Sequence, residues 1–139
     1  MTCTPAGQQQ LERGLESGLS FSVTASPAAA SLARRALECS AETLLERLGR
    51  DGILLLTELV TNAVIHGSSS PEDEVSVEIR ESTASVRVEV RDDGAGFTWR
   101  PPPEEPGRVS GYGLVLVEAI ADRWGIDTSS GRTCVWFEL

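Results

Sequence analysis

The chain has 139 residues, of which 40% are hydrophobic, and its formal net charge is −9. That length is enough for one domain with a core, and the acidic charge argues against nonspecific binding to nucleic acid or to an anionic membrane, since both require Lys and Arg. All twelve basic residues are Arg, which excludes a Walker A loop, a kinase of the common eukaryotic type and Schiff-base catalysis. Because no signal pattern and no bilayer-length apolar run is present, we expect a cytoplasmic protein.

The N-terminal part of the sequence predicts a polar tail followed by a strand. Residues 1–18 are polar and show little periodicity, so we interpret them as a flexible tail before a single domain over residues 19–139. Leu19, Phe21 and Val23 then alternate with hydroxyl side chains, and this period of two predicts an edge strand.

Two helices are predicted next. Residues 28–48 are rich in Ala and carry Leu at helical spacing, with Ser40 as a position that could interrupt the helix. A second helix is predicted over residues 50–66, and it ends at Gly67, a residue type that often caps helices.

The C-terminal half predicts a hairpin, a long loop, a helix and a second hairpin. Valine and isoleucine alternate with polar residues in both strands of the first hairpin, so each strand is half-buried. The predicted ranges are 75–80 and 86–91 for the first hairpin, 97–110 for the loop, 114–124 for the helix, and 126–128 with 133–139 for the second hairpin. This order predicts an α+β two-layer sandwich, with helices on one face of a largely antiparallel sheet.

The second helix carries a polar stripe on one side. At about 100° per residue, Glu58, Asn62 and His66 lie together and opposite a core-facing side. The apolar residues that flank the stripe are Leu54, Leu55, Leu59 and Ile65. They predict a helix buried on most sides, so the stripe is expected to line a cavity rather than to face solvent. Glu58 can then act as a general base and Asn62 can offer an oxygen to Mg²⁺, whereas we assign His66 no proton-transfer role.

Asp92 is the second candidate, because it continues the inward phase of the strand before it while Asp93 points outward. An inward carboxylate is costly unless a donor satisfies it, and the exocyclic amine of a purine would do so. Gly94 and Gly96 follow and allow close backbone approach. The alternative is an aspartate that merely caps the glycine bend.

A glycine turn before the last helix is the third candidate. Gly111, Gly113 and Leu114 place free backbone N–H groups at a helix N-terminus, which is suited to an anion. Arg108 precedes them and could reach a phosphate. A tight turn and a solvated Arg are the alternatives.

Together these motifs, ELVTNAVIHG over residues 58–67, DDGAGF over 92–97 and GYGL over 111–114, resemble the N, G1 and G2 boxes of the GHKL (Bergerat-fold) ATPases. Within that superfamily, the helix pair before the first motif and the segments 114–125 and 135–139 resemble the small RsbW-like anti-sigma factor kinases. The composition, rich in Ala and with Arg as its only basic residue, is typical of their actinobacterial members.

The resemblance implies a mostly antiparallel, mixed sheet of four to five strands, with ATP between helix and sheet and residues 97–110 as a lid. It implies Glu58 as the catalytic base, Asn62 as the Mg²⁺ ligand and Asp92 as the contact to the adenine amine. The remaining residues that it implies for nucleotide contact are Gly94 and Gly96 at adenine, and Arg108, Gly111, Gly113 and Leu114 at the phosphates.

The function that this resemblance implies is a serine/threonine kinase with ATP and Mg²⁺, which phosphorylates an anti-anti-sigma (STAS-type) protein and binds a sigma factor. A non-catalytic, nucleotide-gated binding module is the alternative. A histidine-kinase catalytic fragment is a third hypothesis, disfavoured because the only histidine, His66, lies inside the first motif. The resemblance also leaves a homodimer open.

Overall fold

The computed structural model describes residues 8–10, 17–40, 42–67, 70, 72–94, 113–129 and 131–139. Six strands, three α-helices and one π-helical turn, here called the π turn, are found there. In chain order they are β1 (Gln8–Gln10), β2 (Ser17–Thr24), α1 (Ala29–Ser40), α2 (Glu42–Asn62), the π turn (Ala63–Gly67), β3 (Glu74–Glu81), β4 (Val86–Asp92), α3 (Gly113–Ile120), β5 (Arg123–Asp127) and β6 (Thr133–Glu138).

The strands form one sheet in the order β1-β2-β3-β4-β6-β5, and every pairing among the strands that the structure describes is antiparallel. Both predicted hairpins are present, with Val77 opposite Val90 in the first and Ile126 opposite Val135 in the second. Contacts of α1 with β2, α2 with β4 and α3 with β5 place the helices on one face. The predicted α+β sandwich is thus confirmed, and in the described part of the chain its sheet has six strands, all paired antiparallel.

The core lies between the helices and the sheet, and alternate strand residues build it. Val77, Val88 and Phe137 are each at most 1% exposed, and Leu37 and Leu55 meet them from the helices. Burial of one such side chain stabilises the fold by about 1.5–3 kcal/mol. The same alternation places two polar side chains on this inner face, Asp92 at the end of β4 and Thr133 at the start of β6.

The other face of the sheet is charged and carries a connected series of ion pairs. Glu89 and Glu138 are each almost fully buried there because each pairs with two arginines. The series runs across four strands through Arg80, Glu78, Arg91, Glu89, Arg87, Glu138 and Arg123. This polar pattern explains why the helices cover only the opposite face.

The helical region differs from its predicted boundaries. The helix expected over residues 28–48 is divided at the position where Ser40 was expected to be able to interrupt it, since α1 ends at Ser40 and α2 begins at Glu42. Within α2, Gly49 has non-helical dihedrals (φ 64°, ψ −169°), so the helix kinks there. The segment after this kink corresponds to the predicted second helix.

The N-terminal residues contribute two pieces of strand to the sheet. β1 pairs with the first three residues of β2, so Gln8 lies opposite Leu19. The rest of the predicted tail, residues 1–7 and 11–16, lies outside the described residues, and the domain boundary stays a prediction. In the part of the chain that the structure describes, no helix has the length and apolar character needed to cross a membrane.

Candidate functional site

Glu58 and Asn62 lie one turn apart near the end of α2, and both side chains are half-buried. The neighbouring core face of the helix is packed, with Leu59 and Val60 at most 1% exposed. The expectation that the helix is buried on most sides is wrong for one side, where Leu54 is 39% exposed. Because the fold has two layers, that side of α2 faces outward, and the polar pair lies at the border between core and surface.

The helix changes character directly after Asn62, where the π turn over Ala63–Gly67 begins. Its i→i+5 hydrogen bonding adds a residue to the turn and shifts the phase of everything after it. Ala63 stays buried, whereas Ile65 is 64% exposed and His66 is exposed. Ile65, which we expected to flank a buried stripe, therefore lies at the surface, and the α-helical phase assigned to His66 does not apply.

The π turn ends at Gly67, which lies directly against Asp92. A Cβ atom built on Gly67 would lie 2.1 Å from Asp92 Cγ and 2.3 Å from both carboxylate oxygens. Its φ is outside the left-handed range, unlike that of Gly49 and Gly131. Gly67 thus ends the helix as predicted, but the demand for glycine arises from close approach and not from a left-handed cap.

Gly94 completes the arrangement around Asp92. The Gly94 N–H donates a hydrogen bond to Asp92 Oδ1 at 2.7 Å, and a Cβ on Gly94 would lie 2.8 Å from that oxygen and from the Gly67 Cα. The two glycines, from different motifs, therefore touch beside the carboxylate. Asp92 therefore does two things that we had considered as alternatives. One of its oxygens caps the glycine bend, and its side chain points into the protein.

Thr133 also holds this turn, and sequence reasoning did not include it. Its hydroxyl donates to the Gly94 carbonyl oxygen at 2.9 Å, its side chain is 1% exposed, and its backbone lies opposite Asp92 in the sheet. A signal was present, because Thr133 shares the inward phase of Val135 and Phe137. A hydroxyl in that phase, beside an inward acid, indicates a polar contact.

Asp92 is 3% exposed, as its inward phase predicted, while Asp93 is exposed. Burial raises the pKa of the Asp92 carboxyl above its ordinary value, and the Gly94 N–H and the Arg132 guanidinium only partly oppose this. Among the described residues, no hydrogen bond reaches its second oxygen, Oδ2. With respect to the described residues, the group is therefore an acceptor held through Oδ1, with Oδ2 left for an N–H donor.

The third motif is described only in part. Gly113 is the first residue of α3, and Leu114 after it is 3% exposed, so the start of this helix is packed into the core. The remaining predicted contacts, Gly96, Arg108 and Gly111, and the predicted lid lie outside the described residues. Their roles stay predictions.

Asn62 is the predicted Mg²⁺ ligand, and the described residues contain no group of three or more His, Cys, Asp or Glu side chains that could enclose a metal ion. Mg²⁺ commonly keeps several waters and takes one or two protein ligands together with substrate phosphates. The half-buried Asn62 amide fits that second kind of site and does not fit an all-protein cage.

The fold is an α+β domain of helices on one face of an antiparallel sheet, and the family match assigns it to the ATPases. The sequence model of the histidine kinase-like ATPase domain matches residues 23–139, and the chain belongs to this family. The family implies ATP binding, and the GHKL resemblance is thereby confirmed.

One solved structure of similar fold is the RsbU and RsbW domains of Rv1364c from Mycobacterium tuberculosis, with a TM-score of 0.55 and 22% identity. The similarity covers 87% of this chain and 31% of that chain, so our chain spans about a third of the relative's length. No curated protein matches the sequence. This likeness supports the RsbW-like fold, while the actinobacterial origin stays a prediction.

Proposed function

We propose that this protein binds ATP beside Asp92 and transfers the γ-phosphoryl group to a serine of an anti-anti-sigma (STAS-type) protein, thereby controlling a sigma factor. The observation that carries the proposal is the buried Asp92 carboxylate, which two glycines accommodate and which keeps one oxygen available. Membership of an ATPase family supports ATP as the ligand.

The described residues fit the adenine base. Its exocyclic amine is an N–H donor, and the second oxygen of the nearly buried Asp92 carboxylate accepts no hydrogen bond from the described residues, so such a donor would stabilise it. Gly67 and Gly94 present backbone rather than side chains beside it. A hydrogen bond to this charged group contributes about 1.5–3 kcal/mol, which is enough to favour adenine over guanine, whose carbonyl at that position cannot donate.

Asn62 is our candidate for the Mg²⁺ ligand, because its amide is half-buried at the end of α2. When bound, the ion neutralises charge on the phosphates. The contacts proposed for the phosphates themselves are Gly111, Gly113, Arg108 and the backbone at Leu114, at the start of α3 and before it.

Glu58 is our candidate for the general base. We propose that its carboxylate accepts the proton of the serine hydroxyl while the serine oxygen forms a bond to the γ-phosphorus and the bond from that phosphorus to the β,γ-bridging oxygen breaks. ADP leaves and phosphoserine remains. Its half-buried position, one turn before Asn62, keeps this carboxylate close to the proposed metal ligand while a partner protein can still reach it.

The proposed partners are a sigma factor and a STAS-type protein, with no direct nucleic acid and no membrane. The solved relative carries an RsbU and an RsbW domain in one chain, which supports a place among such regulators. A cytoplasmic location and a homodimer are further parts of the proposal.

The test is phosphotransfer from labelled Mg-ATP to purified STAS-type proteins. Glu58→Ala should slow transfer by about 10²–10⁴-fold while ATP affinity stays close to that of the wild type, because general-base catalysis contributes that much. Glu46→Ala, at an exposed position on the same helix, is the matched control and should transfer normally. Transfer by Glu58→Ala at the wild-type rate would contradict the proposed mechanism.

The same experiment separates the alternatives. If the protein binds a partner with equal affinity with and without Mg-ATP and no phosphate is transferred, it is a binding module. The third hypothesis, a histidine-kinase catalytic fragment, is tested as well, because the family is described as histidine kinase-like. Phosphotransfer to a separate histidine-containing domain would support it, and its absence would close it.

A further inference from the structure

We propose that Gly67 is a positioning residue for nucleotide recognition, because its missing side chain provides the space that the Asp92 carboxylate occupies. This inference rests on the proposed function, since Asp92 is taken there as the adenine contact. In the first motif, Glu58 and Asn62 supply the polar side chains and Gly67 ends the helix. Its position against Asp92 gives it a role in the binding site itself.

The distances leave no room for a larger residue at position 67. A Cβ there would lie 2.1 Å from Asp92 Cγ, whereas Cβ atoms essentially never come closer than 3.0 Å to a non-bonded heavy atom of a residue that is not a chain neighbour. Both carboxylate oxygens would also lie within 2.3 Å, so rotation of the carboxylate about its own axis does not relieve the clash. The whole Asp92 side chain, or the end of the π turn, has to move.

Asp92 has little freedom to give way. Its Oδ1 accepts the Gly94 N–H at 2.7 Å, and its backbone pairs with Thr133 in the neighbouring strand. Gly94 in turn lies against the Gly67 backbone, where a Cβ on Gly94 would be 2.9 Å from the Gly67 carbonyl oxygen. Carboxylate, glycine bend and π turn are therefore in mutual contact, and displacement of one changes the direction of the available oxygen.

The backbone of Gly67 does not itself require glycine, because its φ lies outside the left-handed range. Alanine is compatible with that conformation, and the three atoms nearest to an added Cβ all belong to Asp92, so we expect the effect of Gly67→Ala to come from this contact. Removal of the carboxylate should then remove the conflict. If glycine were needed only to end the helix, removal of the Asp92 carboxylate would not reduce the effect of Gly67→Ala.

The experiment is a double-mutant cycle with Gly67→Ala, Asp92→Ala and the two combined, together with Ile65→Ala as an exposed control in the same π turn. Calorimetric titration with ATP and thermal melting are measured for each protein. We expect Gly67→Ala to melt below the wild type and to bind ATP at least about tenfold more weakly, as loss of one charged hydrogen bond predicts. The double variant should melt like Asp92→Ala and bind ATP no more weakly than Asp92→Ala.

The outcomes separate this inference from the proposed function. If Asp92→Ala binds ATP like the wild type, the proposed adenine contact is wrong. If Asp92→Ala loses binding while Gly67→Ala keeps it, only the inference is overturned. Should Gly67→Ala fail to fold, a double variant that folds and melts like Asp92→Ala supports the inference, and one that also fails to fold overturns it.

Discussion

Replacement of Thr133 by valine tests how firmly the glycine bend beside Asp92 is held. The Thr133 side chain is 1% exposed and its hydroxyl donates to the Gly94 carbonyl oxygen at 2.9 Å. Valine has nearly the same shape and no donor, so the packing is kept while the carbonyl loses its partner. The perturbation therefore isolates one hydrogen bond between two segments distant in sequence.

The size of the effect follows from the burial of the two groups. Net loss of a neutral hydrogen bond costs about 0.5–1.5 kcal/mol, and an unsatisfied buried group costs about 1–3 kcal/mol. Because Gly94 is only half-buried, water can replace part of the bond, and we expect a loss of about 1–2 kcal/mol. For a chain of this length that corresponds to a melting temperature lower by roughly 3–7 °C.

Urea unfolding of the wild type and Thr133→Val, at unchanged m-value, measures this difference directly. Thr128→Val is the matched control, since Thr128 is exposed just before the turn of the same hairpin, and it should stay within about 0.5 kcal/mol of the wild type. A Thr133→Val protein as stable as the wild type would show that the hydroxyl does not hold the bend.

Four further substitutions test other features of the fold by urea unfolding. Asp92→Asn should be more stable than the wild type at pH 7, because folding raises the pKa of this carboxyl and so disfavours its charged form; the difference should shrink as the pH falls through the raised pKa and vanish below the ordinary value of 3.8. Gly49→Ala should lose about 1–3 kcal/mol, because φ 64° with ψ −169° is a conformation essentially restricted to glycine. Leu55→Ala should lose about 2–5 kcal/mol from a fully buried position, whereas Leu54→Ala at a 39% exposed one should lose under about 1 kcal/mol. The burial of these side chains would be contradicted in either of two cases. The first is a stability difference between Asp92→Asn and the wild type that does not change with pH, and the second is an equal loss of stability in Leu54→Ala and Leu55→Ala.

The sheet was the most predictable part of this fold. In β4 the strict alternation of Val86, Val88 and Val90 with arginine and glutamate fixes which residues face the core, and it carries Asp92 inward with them. A period of two is a local property, so a single strand contains all the information needed. The inward phase of Thr133 is local in the same way, whereas its register opposite Asp92 is not, because a shift of two residues keeps the same faces.

The helices were less predictable, because their boundaries depend on single residues. Ser40 indicated where the first helix could end, but the apolar pattern continues past it, and the conformation of Gly49 is not encoded by periodicity. The π turn carries no sequence signal in its five residues, yet it decides which side chains after Asn62 face solvent. Helical periodicity therefore predicted that Glu58 and Asn62 lie one turn apart on the same side of α2, but it did not predict that Ile65 is exposed.

The contacts that assemble the site are long-range, and the sequence alone could not supply them. Gly67 and Asp92 belong to different motifs, and their contact depends on how the end of the helix meets the end of β4. The hydrogen bond from Thr133 to Gly94 spans 39 residues. Motifs identified the residue types that the chemistry needs, whereas tertiary packing determines which of them touch.

The most direct test of the central claim is calorimetric titration of the purified protein with ATP and ADP, with and without Mg²⁺, beside Asp92→Ala. We predict binding that Mg²⁺ strengthens and that Asp92→Ala weakens by at least about tenfold. No binding of either nucleotide at millimolar concentration, or equal binding by Asp92→Ala, would contradict the claim that the buried acid and its glycines form an ATP site.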